Sequence, residues 1–109
     1  MYTISETPLF SRLWPDYWTE EERGEFAAFL ANNPEAGDVV PGSGGVRKVR
    51  WQVTGRGKSG GVRVIYYNQL VAGHIWLLTI YGKNVRETLD ASILRLLKEK
   101  LDAALSERP

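Results

Sequence analysis

The chain contains no cysteine, which excludes a disulfide framework, thiolate chemistry and a zinc ribbon. That absence suits a reducing compartment, and a cytoplasmic location is the expectation. No apolar run approaches the roughly 20 residues that a membrane-spanning helix needs, so no membrane partner is expected. The opening MYTISETPLF lacks the basic start and apolar stretch of a secretory signal. Histidine occurs once, as His74, opening a predicted strand, where such a residue is ordinarily structural rather than a general base. No His/Asp/Glu cluster has metal-ligand spacing, Ser59 has no evident base partner, and no cofactor is implied.

Acids are missing from the middle of the chain. Residues 39–86 hold Arg47, Lys48, Arg50, Arg56, Lys58, Arg63, Lys83 and Arg86 without one carboxylate, a net charge of +8. Residues 1–38 set two arginines against eight acids, a net of −6, and residues 87–109 carry −1. The overall +1 conceals this segregation. Solvated faces normally mix signs, so an acid-free cationic stretch points to a polyanion, most often a phosphodiester backbone.

What is present describes one folded domain over residues 1–109. The chain is 43% hydrophobic with four tryptophans, enough for one core and too short for two. Tyr2–Ile4 is a candidate first strand. Thr7-Pro8 places a hydroxyl at an N-cap and proline at the first helical position, with Leu9, Phe10, Leu13 and Trp14 on one face. Thr19-Glu20-Glu21-Glu22 matches a capping box, and Asn33-Pro34 stops that helix. Residues 37–45, GDVVPGSGG, read as loop.

The period then changes to two. Over Val46–Val53, Lys48 and Arg50 fall on one face and Val49, Trp51 and Val53 on the other; Arg47 shares the apolar face. Val62–Asn68 and His74–Tyr81 read as central strands. Asp90 or Thr88 caps a last helix with Ile93, Leu94, Leu97, Leu101, Ala104 and Leu105 on one stripe. This order predicts a small α+β domain: an antiparallel meander, N-terminal helices on one face, and a C-terminal helix.

The glycine-rich GRGKSGG, residues 55–61, raises the possibility of a phosphate loop. That motif needs a glycine where Gln52 stands and a helix afterwards, whereas VRVIYYN is β-branched and aromatic. A basic hairpin joining two strands is the better reading. It brings Arg63 near Lys48 and Arg50, and Lys83 follows the last strand, so four cations from three strands converge. Trp51, Tyr66, Tyr67 and Tyr81 flank them, as stacking platforms for bases or as packing residues. The competing reading is a solvated strand face that discourages edge pairing.

Three segments, NPEAGDVVPGSGGVRKVRW, GRGKSGGVRVIYY and LLTIYGKN, resemble in order and spacing the toxins of the RelE/ParE superfamily, above all the HigB-like branch. The resemblance covers roughly residues 20 to 105, and it is the joint occurrence of the three motifs that is specific. It implies a RelE-like fold and a cognate antitoxin, whose complex with the toxin binds operator DNA through the antitoxin. It further implies metal-independent cleavage of mRNA on the ribosome, in which the RNA's 2′-hydroxyl attacks its own neighbouring phosphate. By motif, Lys48 and Arg50 match the basic pair before the hairpin. Lys48 would assist deprotonation of the 2′-hydroxyl, Arg50 and Arg63 would hold the phosphate, and Lys83 would contact the phosphate or the leaving side. Arg47, Arg56, Lys58 and Arg86 would fasten mRNA or ribosomal RNA. The RelE-type tyrosine after the last strand has no counterpart in Val85–Asp90, leaving Tyr81 and Asp90 as candidates for the general acid. Two other readings remain: a ParE-like toxin that inhibits DNA gyrase without catalysis, and a plain RNA-binding domain.

Overall fold

A computed structural model describes residues 2–52, 61–83 and 89–107. Strand β1 (Thr3–Glu6) leads into helix α1 (Pro8–Leu13), a short 3-10 turn at Trp14–Asp16, and helix α2 (Glu20–Asn32). Strands β2 (Asp38–Val39), β3 (Arg47–Trp51), β4 (Val62–Gln69) and β5 (His74–Gly82) follow, with a 3-10 turn at Leu70–Ala72 before β5, and helix α3 (Ala91–Ser106) ends the fold. The architecture is α+β.

Local chemistry sets the helix boundaries where the sequence placed them. The Thr7 side chain accepts the Phe10 N–H with Pro8 at the first position. Thr19 and Glu22 form the reciprocal capping box, and Asn33 ends α2. Asp90, rather than Thr88, caps α3 by accepting the Ile93 N–H.

The sheet departs from a pure antiparallel meander. Its order is β1-β5-β4-β3-β2, and β1 lies parallel to β5, so the sheet is mixed. Parallel neighbours need a crossover, and here most of the chain, from α1 to β4, intervenes between them. The predicted 37–45 loop also contains an element: Asp38 and Val39 pair antiparallel with Lys48 and Arg47. Two residues are too few for a periodicity signal, and their partners supply the order.

Helices cover both faces. Phe10 and Trp18, with Phe26 and Leu30 of α2, pack on Val62, Val64, Tyr66, Ile75, Leu77 and Ile80. On the opposite face Leu94 and Leu101 of α3 pack on Val46, Ile65, Trp76 and Leu78. Burial on both sides explains why β4 and β5 read as nearly continuous apolar runs. A bulge sharpens this: Ile65 pairs with Thr79 and Tyr66 with Leu77, leaving Leu78 as the extra residue, and it turns toward α3. Each fully buried large side chain, such as Phe10, Phe26 or Leu94, contributes about 1.5–3 kcal/mol. Among the described residues no helix is long and apolar enough to cross a membrane.

Candidate functional site

The site begins with alternation in β3. Val49 and Trp51 face α2, where Trp51 meets Phe26 edge-on at 5.3 Å and Phe29 at 4.8 Å between centroids. Lys48 and Arg50 therefore face the other way, and both are exposed. Arg50 stands directly opposite Arg63 of β4, and Arg63 stands opposite Tyr81 of β5. Opposed residues in an antiparallel pair share a face. The result is a row, Arg50–Arg63–Tyr81, across three strands, with Lys48 two residues along β3. The core beneath α3 gathers around Ile65, Trp76 and Leu78, next to this row in the sheet.

Two adjoining clefts open over these side chains. One, of about 540 Å³, is lined by Ala36, Asp38, Lys48, Val49, Arg50 and Arg63. The other, of about 330 Å³, is lined by Arg50, Trp51, Gln52, Arg63 and Lys83. Arg50 and Arg63 belong to both, so the four cations Lys48, Arg50, Arg63 and Lys83 line two clefts that share these arginines. Elsewhere in the described residues, ion pairs join Arg23 with Glu6 and Glu20, Arg47 with Glu35, and Lys98 with Asp102. Guanidinium groups present forked donors suited to paired phosphate oxygens, and cations gathered on one face suit a polyanion.

The structure does not bring every expected residue here. Arg47 is on the opposite face, opposite Tyr66. Its guanidinium donates to the Gly37 carbonyl at 2.7 Å and pairs with Glu35 at 3.7 Å. It staples the 35–37 turn instead of joining the cationic row, because β3 alternation turns it away. Arg56, Lys58 and Arg86 lie outside the described residues, as does GRGKSGG up to Gly60.

The aromatic candidates divide similarly. Tyr66 is fully buried, its hydroxyl accepting the Gly37 N–H and donating to the Pro34 carbonyl, each at 2.8 Å. Lys98 of α3 sits over the Tyr67 ring at 5.2 Å. Trp51 lines the smaller cleft while packing on α2. Tyr81 is half-buried beside Arg63; burial pushes its phenol up, opposed by the Arg63 charge, so it keeps its proton at neutral pH and can donate one.

Asp90 has a different role from the one expected of a general acid. Its carboxylate accepts from the Ser92 hydroxyl at 2.7 Å and the Ile93 N–H at 3.1 Å. These bonds hold its carboxyl below the ordinary value, so near neutrality it has no proton to give. His74, seven residues from Tyr81 on β5, is about 23 Å away along the strand. It bonds Ser5 Oγ through Nε2 at 2.6 Å and stacks on Trp76, a structural role.

Sequence reasoning missed Asp38. The acid-free stretch begins one residue after it, yet β2 pairing sets Asp38 opposite Lys48 and in the larger cleft. A two-residue strand carries no periodicity, so no local signal could have found it. No protein-family model matches the chain.

Proposed function

We propose that the protein is a toxin of the RelE/ParE superfamily, of the HigB-like branch, which cleaves mRNA on the ribosome without a metal and is neutralised by a cognate antitoxin. The observation that carries the reading is the placement of Lys48, Arg50, Arg63 and Lys83 around two clefts that share both arginines. The motif resemblance across three segments names the chemistry.

In this reading the 2′-oxygen attacks the adjacent phosphorus while the bond to the 5′-oxygen breaks, leaving a 2′,3′-cyclic phosphate. Arg50 and Arg63 grip the non-bridging oxygens and stabilise the added charge of the phosphorane, the largest contribution expected of such a site. Lys48 stabilises the attacking oxygen as it loses its proton. Lys83 lies toward the leaving side, and the Tyr81 phenol supplies the proton that the departing oxygen takes. Arg56, Lys58 and Arg86 fasten the RNA backbone. The setting is the cytoplasm, where ribosomes and the antitoxin are met.

The test is to map mRNA 5′ ends on purified ribosomes with and without the protein, and with the Lys48→Ala/Arg63→Ala double variant. New ends should appear with the parent and vanish with the variant, while both melt cooperatively. Growth arrest that persists in the double variant, with no ribosome-bound mRNA cut, would overturn the reading in favour of a protein target such as gyrase.

A further inference from the structure

We propose that Asp38 is a catalytic residue whose carboxylate takes the proton of the attacking 2′-hydroxyl. This rests on the nuclease reading and adds a base to it. Asp38 pairs directly with Lys48, so its side chain shares the face that carries Lys48, Arg50 and Arg63. All four line the cleft of about 540 Å³, and Asp38 is the one carboxylate among its described lining residues.

The need for this residue is chemical. Lysine ammonium and arginine guanidinium groups are donors with no acceptor, and arginine is not deprotonated in proteins. Lys48, Arg50 and Arg63 can therefore stabilise a phosphorane, but in their charged forms none can receive a proton. An ionised carboxylate is acceptor-only. Set beside Lys48, it receives the 2′ proton while the ammonium steadies the oxygen left behind.

Its backbone is held more firmly than a solvent-facing edge charge requires. The preceding residue, Gly37, is buried. Its N–H donates to the Tyr66 hydroxyl and its carbonyl accepts from Arg47. A side chain there would come within 2.7 Å of the Lys48 carbonyl oxygen. Two hydrogen bonds and a packing site with no room for a side chain thus fix where Asp38 enters β2, and a general base must lie within hydrogen-bond reach of its proton.

The step balances. The 2′ O–H proton passes to the Asp38 carboxylate as the 2′-oxygen bonds to phosphorus. The phosphorus–5′-oxygen bond breaks, and the 5′-oxygen takes the Tyr81 proton. Solvent then returns a proton to Tyr81 and removes one from Asp38.

The experiment compares the parent, Asp38→Asn and Asp38→Glu in single-turnover cleavage of programmed ribosomes, with ribosome binding measured in parallel. Asparagine keeps the size but accepts no proton. Asp38→Asn should cut about 100-fold or more slowly while binding as tightly as the parent or tighter, because a negative charge has left a cationic cleft. Asp38→Glu should recover part of that loss. Parental cleavage by Asp38→Asn overturns the assignment and leaves the nuclease reading standing. Equal losses of cleavage and binding in both variants also overturn it, since Asp38 would then only shape the cleft. A parent that cuts no RNA removes the nuclease reading and this proposal together.

Discussion

Arg50 and Arg63 stand directly opposite each other on neighbouring antiparallel strands. Like charges in that relationship repel, and the proposed phosphate is an anion that both could grip at once. Replacing one member should therefore separate stability from activity. Arg50→Gln is expected to raise unfolding stability by roughly 0.2–1 kcal/mol while lowering mRNA cleavage about 100-fold or more. Denaturant titration beside single-turnover cleavage checks both. Reduced stability together with unchanged cleavage would remove the arginine pair from the mechanism.

The proton donor can be distinguished by two substitutions. Tyr81→Phe removes the phenol that burial keeps protonated and should slow cleavage about 100-fold. Asp90→Asn keeps an oxygen at the N-cap and should leave cleavage unchanged. Asp90 has a lowered carboxyl, so its contribution to stability is present above its ordinary value of 3.8 and is lost as pH falls. Acid titration of the fold should show that loss in the parent and not in Asp90→Asn.

Tyr66 gives the alkaline counterpart. Burial pushes its phenol above the ordinary 10.0, so the unfolded chain releases the proton first. The associated stability is intact below pH 10 and falls as pH rises through the raised value. Tyr66→Phe should remove that alkaline loss. It should also cost about 1–3 kcal/mol by orphaning the buried Gly37 N–H, whereas the Pro34 carbonyl keeps Asn68 Nδ2 at 2.8 Å. Thermal melts across alkaline pH read both effects.

Gly37→Ala tests the anchor beneath the cleft. The new methyl would press on the Lys48 carbonyl and on the Tyr66 ring at 3.0 Å, and both are held within the sheet. Overpacking of this kind costs about 1–3 kcal/mol. Because the strain falls between Asp38 and Lys48, cleavage should drop at temperatures where the variant is still folded. Unchanged melting and unchanged cleavage would show that the turn yields.

Binding should report the charge of the GRGKSGG segment. Affinity for single-stranded RNA falls with salt at a log-log slope of about −0.7 for each phosphate neutralised. Removing Arg56 and Lys58 together should flatten the slope by about 1.4 if each meets one phosphate. Filter binding over a salt series measures it, and an unaltered slope would place those side chains away from RNA.

Much of the fold was legible because its signals are local. Thr7-Pro8, the Thr19–Glu22 box and Asn33-Pro34 act within a turn of themselves, and the period-two run through β3 fixed which face carries Lys48 and Arg50. The parallel β1–β5 pairing, the Leu78 bulge and β2 were not legible, since each exists only through a partner distant in the chain. The same limit separated Arg47 from its neighbours in sequence. Two residues apart from Val49 on one strand, it was bound to share the apolar face, but its role as a staple depends on Gly37 and Glu35 arriving from another segment.

By itself the sequence determined the elements, their caps, the segregation of charge and the common face of Lys48 and Arg50, all consequences of backbone periodicity and nearest-neighbour hydrogen bonding. Tertiary structure alone decided the register that sets Arg63 against Arg50 and against Tyr81. It also decided the return of Asp38 to a stretch that lacks acids, and the covering of one part of the sheet face by α3. Those are long-range pairings, chosen by burial of two cores on opposite faces of one sheet, and no local pattern encodes which distant residue will be the partner.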